Sequence, residues 1–236
     1  MIKVAFWFDA PVEYSGGYNY IKNLIFASYQ LKDKEIQFFI FFSNDVLDEN
    51  LNSFRPYATV VKTSILRRYS FFWFLNKILN RLFNSSFLLN TILRRYEIDI
   101  LSHNWDVIYG LPKVKVLSWI PDFQYLHLPE FFPELDLKIQ NKKNISLVEK
   151  SELVILSSED AQKDLESIIP LNLLEKSRVL QFVSQPENEY ISEKSNKNLN
   201  KILSKDYFFL PNQFWRHKNH IVVFKAVKLL KDQGCE

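Results

Sequence analysis

The sequence predicts an α/β protein: a Rossmann-like parallel sheet with helices on both faces, followed by the start of an incomplete second Rossmann-like domain. Three observations predict it. Short apolar runs alternate with helix-period segments from Ile2 to Val183, the pattern of parallel strands joined by crossover helices. Several runs are apolar throughout, as strands covered on both faces are. After a polar stretch, one more apolar run and one more amphipathic segment follow, as if the pattern were beginning again.

In chain order, strands are expected at Ile2 to Phe8, Gln37 to Phe42, Thr59 to Lys62, Ile98 to Ser102, Val114 to Ile120, Leu153 to Leu156 and Val179 to Val183. Between the first two, Ile21, Leu24, Ile25, Ser28 and Leu31 recur at helical spacing and form a face for the sheet. Residues 187–206 are rich in Asn, Lys, Ser and Glu with little to bury, which makes 1–186 a first domain, 187–206 a linker and 207–236 the opening of a second. There Tyr207 to Pro211 is expected as a strand and Asn219 to Lys231 as a helix, with Val222, Val223, Ala226, Leu229 and Leu230 on one face. One strand and one helix make no core, so this segment is expected to be unfinished.

Composition excludes more than it assigns. A net charge of +3 without a basic stripe gives no reason to expect nucleic acid. Cys235 is the single cysteine, which rules out an internal disulfide and fits a reducing cytosol. The first strand is too short for the apolar core of a signal peptide, and no run approaches the roughly 18 to 20 apolar residues of a membrane span, so a cytoplasmic protein is expected.

Chemistry is expected at strand ends. The loop after the first strand carries Gly16 and Gly17, suited to a tight turn or to close approach of a ligand. It is neither G-x-G-x-x-G nor a P-loop, so no dinucleotide or other cofactor is expected. Asp122, Gln124 and His127 follow the strand ending at Ile120 and offer a carboxylate, an amide and an imidazole to hydroxyl groups. From spacing alone Asp122 reads first as a turn cap after Pro121 and His127 as a histidine packed beside Pro129. Arg216 and Lys218 suit a diphosphate, though a solvated pair reads the same way. His217 and His220 lack the acidic or thiol partners of a zinc site, and no metal is expected. From Ile65 to Arg95, Phe71 to Leu75, Ile78, Leu79, Leu82 and Phe83 surround a stripe of Asn76, Lys77, Asn80, Arg81 and Asn84. Arg67-Arg68 and Arg94-Arg95 flank them, so the segment reads either as an interfacial helix for anionic membrane or as a buried crossover helix.

Three stretches resemble family 4 glycosyltransferases of the GT-B fold, in the bacterial cell-surface polysaccharide branch. Phe209-Leu210-Pro211-Asn212-Gln213-Phe214-Trp215-Arg216-His217-Lys218-Asn219-His220 resembles the turn that opens the nucleotide-sugar domain. Trp119-Ile120-Pro121-Asp122-Phe123-Gln124-Tyr125-Leu126-His127-Leu128-Pro129-Glu130-Phe131-Phe132 resembles the acceptor-domain signature. Glu149-Lys150-Ser151-Glu152-Leu153-Val154-Ile155-Leu156-Ser157-Ser158-Glu159 resembles the helix-strand-helix passage after it.

The resemblance implies transfer of a sugar, with retention and without a metal, from a nucleotide diphosphate sugar to a surface glycan or lipid-linked acceptor. It implies that Gly16 and Gly17 admit the diphosphate, that Asp122 and His127 orient hydroxyls as the catalytic pair with Gln124 beside them, and that Lys218 with Arg216 holds the leaving group. Relatives often carry a His-Asp pair where Pro121 precedes Asp122 here, so the imidazole comes from His127 or from His103. The family's late glutamate pair would fall beyond residue 236, and the chain alone is expected to be inactive. Two other classes stand beside this one: a non-catalytic acceptor- or membrane-binding module from a truncated gene, and an epimerase, which would need the missing dinucleotide glycines.

Overall fold

The structure is a computed structural model that describes residues 1–8, 15–31, 35–185 and 207–234. Two compact units divide the chain, Met1–Gln185 and Pro186–Glu236. The predicted linker at 187–206 and Cys235 lie outside the described residues.

The first unit is a seven-stranded parallel sheet flanked by helices. Its strands are β1 (Ile2–Trp7), β2 (Ile36–Ser43), β3 (Thr59–Thr63), β4 (Ile100–Asn104), β5 (Lys115–Ile120), β6 (Leu153–Leu156) and β7 (Ser177–Val179). They lie in the order β3-β2-β1-β4-β5-β6-β7, and every neighbouring pair is parallel. The strands follow from side chains that a two-sided sheet can bury. Residues 39–42 of β2, Phe-Ile-Phe-Phe, are all buried, alternating between clusters on opposite faces. Because the chain winds outward from β1 through β2 and β3 and then returns to β4, the sheet reverses its order between β1 and β4. At such a switch point the loops leaving the two carboxyl ends diverge and open a crevice.

The helices are α1 (Ser15–Gln30), α2 (Asp48–Leu51), α3 (Phe71–Phe83), α4 (Phe87–Arg95), α5 (Gln124–His127), α6 (Glu134–Lys150), α7 (Glu159–Glu166) and α8 (Leu171–Leu174). Helix α1 lays Tyr20, Ile21 and Ile25 on Phe6, Ile40 and Phe42. On the other face α4 lays Leu89 and Leu93 on Phe39, Phe41 and Leu101. Helix α6 ends where Lys176 Nζ donates to the carbonyls of Val148, Glu149 and Ser151 at 3.3, 3.2 and 3.1 Å, collecting oxygens that the last turn leaves without partners.

Four expectations need correction. Residues Ile65 to Arg95 form two helices rather than one, since Asn84 turns left-handed (φ 46°) after α3 and Ser86 starts α4. At the other end of α3, Tyr69 is also left-handed (φ 63°), while the Ser70 hydroxyl caps the helix by accepting from Trp73 N at 3.2 Å. The last strand pairs at Ser177–Val179, not 179–183, because Val154 to Leu156 of β6 are the only residues against which it registers. β4 runs two residues later than expected, to Asn104, across an irregularity in its register with β5. Finally, residues 207–211 are not a strand: a strand exists by pairing, and among the described residues of the second unit there is none to pair with. The helix expected after it is present as α9 (His220–Asp232), with Val222, Leu229 and Leu230 exposed.

Candidate functional site

The carboxyl ends of β1, β4, β5 and β6 collect most of the residues expected to carry chemistry, and the two sides of the β1/β4 boundary are built differently. Toward α1 the edge is filled by aromatic rings. Tyr20 stacks on Trp119 with centroids 4.5 Å apart and planes at 13°, and Trp105 lies 5.9 Å from the same indole. Trp119 Nε1 donates to Ser157 Oγ at 3.1 Å. His103 is buried within this group. Its Nε2 is 2.9 Å from the Tyr20 hydroxyl and its Nδ1 is 2.8 Å from Ser102 Oγ. Burial drives the imidazole pKa down from 6.5 to about 3 and the Tyr20 phenol up to about 12, so both are neutral across the physiological range. His103 is left-handed (φ 56°), which lets β4 deliver this ring inward and Asn104 next to it.

Toward α3 the edge is hollow. A cavity of about 250 Å³ opens between α3 and the strand ends, reached by Trp7 of β1, Asn104 of β4, and Trp73, Asn76, Lys77 and Asn80 of α3. Asn104 is held by its own turn, in which Oδ1 accepts from Asp106 N at 3.4 Å, and Asp106 pairs with Lys143 at 2.8 Å. Asn80 Oδ1 accepts from Ser86 Oγ at 3.1 Å. Asn76 Oδ1 is buried and has no hydrogen-bond partner among the described residues. Lys77 Nζ stands 5.7 Å above the Trp73 ring, a cation over an aromatic face. A second, wider depression of about 530 Å³ lies at Val114 and Lys115, against the amino ends of the strands, away from the edge where parallel sheets hold ligands.

The predicted site residues are distributed over this edge and beyond it. Asp122 follows β5, and its Oδ1 accepts from Gln124 N at 3.1 Å, the turn-capping geometry that its spacing after Pro121 allowed. His127, at the end of α5, turns instead to α7, where Nε2 lies 2.8 and 2.9 Å from the two Asp164 carboxylate oxygens. The hydrogen bond to Asp164, then its charge, raises the imidazole pKa above 6.5. Asp122 and His127 thus sit on one short stretch with different partners. Gly16 and Gly17 lie in the first turn of α1; a side chain at Gly16 would meet open space, so glycine there leaves room rather than relieving a clash. The loop at 9–14 before them lies outside the described residues. Arg216 and Lys218 belong to the second unit, where they flank His217 in one helical turn directly ahead of α9. Both are exposed, at the end of a helix where backbone N–H groups favour an anion.

Sequence reasoning missed three features. His127 Nε2 and the carboxylates of Asp160 and Asp164 lie within 4.8 Å of one another, a donor set able to hold a divalent cation. The i,i+4 spacing of the two aspartates was a visible signal, but nothing in the chain links them to a histidine more than thirty residues earlier. The buried Tyr20–His103 bond and the inward Asn76 and Asn104 were also missed, because a left-handed histidine and a helix turned polar side in leave no periodic mark. No model of a known protein family matches the chain, and no curated protein does. Fold and edge together define a class, a parallel α/β domain with a polar, aromatic-lined cavity at its topological switch point.

Proposed function

We propose that residues 1–185 form the acceptor-binding domain of a sugar-transferring enzyme that works at a membrane surface, with residues 207–234 opening its nucleotide-sugar domain. The observation that carries the reading is the cavity at the β1/β4 switch point, which combines amides, cations and flat aromatic faces, the set of groups that binds sugar hydroxyls and ring faces. The three motif stretches resembling family 4 glycosyltransferases support it, as does the basic turn at Arg216 and Lys218 ahead of α9.

On this reading Lys218 and Arg216 of the second unit stabilise a departing diphosphate, while in the first unit Gly16, with the buried Gly17 beside it, leaves room at the start of α1, and Asp122, Gln124 and His127 orient hydroxyls at the end of β5. His103 acts through Tyr20 rather than on a substrate, since both its ring nitrogens are engaged in the core. Membrane attachment is assigned to α3, whose outward Phe71, Phe74, Ile78 and Leu82 are 74%, 50%, 50% and 69% exposed. No described helix is long and apolar enough to cross a membrane, so this attachment is peripheral.

The test is transfer of radiolabelled sugar from a panel of uridine and guanosine diphosphate sugars to a bacterial lipid extract, by the protein expressed from its complete reading frame. Incorporation that is lost in Lys218→Ala is expected; no incorporation from any donor overturns the reading. The exposed apolar face of α3 also favours a second reading, a non-catalytic membrane-binding module, which would bind vesicles and transfer nothing.

A further inference from the structure

Helix α3 is amphipathic in the reverse sense of a soluble protein. Trp73, Asn76, Lys77 and Asn80 turn toward the sheet and line the cavity, while Phe71, Phe74, Ile78 and Leu82 face away from it and are exposed. Polar groups turned inward need a polar occupant, and apolar groups turned outward need an apolar medium.

We propose that the cavity beneath α3 binds the phosphorylated polyol head of a membrane lipid while the outer face of α3 rests in the acyl boundary of the same bilayer. Two features select the head. Among the described residues, neither Lys77 nor Arg68, which also lines the cavity, has an acidic partner, and the carboxylate in the lining, Asp106, is paired with Lys143 at 2.8 Å, so the site offers net positive charge to a phosphate. Asn76 Oδ1 is buried with no donor, and a ligand hydroxyl supplies one where phosphate oxygens cannot. Trp7 and Trp73 add flat faces for a ring. A lipid is the one occupant that meets both sides of α3 at once. The inference rests on the acceptor-side reading above and names the acceptor's chemistry, yet its test requires no sugar transfer.

The full chain is sedimented with phosphatidylcholine vesicles containing either phosphatidylinositol or phosphatidylserine, lipids of equal charge of which only the first carries a polyol. Binding is expected to be about tenfold tighter to the inositol lipid, the worth of one charge-assisted or buried hydrogen bond. Asn76→Leu, which fills the cavity with a volume it can hold, should abolish that preference and leave binding to both anionic vesicles equal. The triple change Phe74→Ser, Ile78→Ser and Leu82→Ser should end binding to every vesicle while circular dichroism stays that of the parent. Equal affinity of the parent for the two lipids overturns the proposal, as does a preference that survives Asn76→Leu. Soluble inositol 1-phosphate binding as tightly as the inositol lipid would assign the cavity to a free phosphate ester instead. A parent dimer that the triple change converts to monomer would assign the outer face to a second copy.

Discussion

Helices α1 and α3 read alike in the sequence and are used in opposite ways. Both carry apolar residues at helical spacing, and both follow strands of the same half of the sheet. Helix α1 buries its stripe on the strands, with Ile25 only 1% exposed, whereas no described side chain of α3 is fully buried and its apolar stripe points away from the sheet. The crossover from β3 to β4 is covered by α4 instead, which frees α3 from any structural duty toward the core. The lesson is that periodicity reports the existence of an apolar face but not the medium it meets. That medium is decided by what lies on the other side of the helix, and for α3 it is a polar cavity.

The largest effect expected of this contrast is at Ile25. Ile25→Ala should cost about 2 to 5 kcal/mol in urea unfolding, because it empties a packed site beside Phe6 and Ile40. A loss below about 1 kcal/mol would mean that α1 is no more committed to the sheet than α3. Next is acid sensitivity. The His103 imidazole is depressed from 6.5 to about 3, so between those values the unfolded chain binds a proton that the folded one refuses. Its contribution is complete above pH 6.5 and is lost as pH falls toward 3, so the melting temperature should drop across this window. His103→Asn, which keeps a residue tolerant of the left-handed backbone, should flatten the drop. His127 acts in the opposite direction: its raised pKa gives a contribution present below 6.5 and lost as pH rises through the higher folded value. Thermal melts of Asp164→Asn should lose that alkaline component alone.

Smaller still is the cap of α3. Ser70→Ala removes the bond to Trp73 N and one donated to the Ser64 carbonyl, and about 1 kcal/mol of stability should go with them. The smallest effect sharpens the comparison most. Ile78→Ser should change unfolding free energy by no more than about 0.5 kcal/mol, since the side chain meets solvent in the free protein. A cost comparable to that of Ile25→Ala would show that the outer face of α3 is packed after all.

The sheet was legible because strands buried on both faces must be apolar along their whole length, and β2 could hardly be anything else. Strand ends were less so. β7 stops at Val179 although Val183 continues an apolar pattern, because pairing with β6 sets its length and the residue types do not. The run at 207–211 failed for the same reason, being strand-like in composition with no partner among the described residues. At the site, Asp122 and His127 were visible as residue types after a strand end, but their partners were not. An aspartate two residues before a backbone N–H caps it by local geometry, while Asp164 reaches His127 only through the packing of α7 beside α5. The amides of α3 were visible as a polar stripe, but the stripe alone did not say that it faces the sheet, because polar residues mostly face solvent.

Tyr69 and Asn84 bracket α3 with two left-handed residues, so the backbone turns sharply at each end of a helix that no core cluster claims. In evolutionary terms this is an exchangeable cassette. Variation confined to residues 71–83 alters both the groups above the switch point and the surface offered to the surroundings, while α1, α4 and the sheet continue to hold the fold. A combinatorial library over those positions would therefore explore recognition with few variants lost to misfolding, and the same separation would let lineages diverge in specificity while their strands stayed alike.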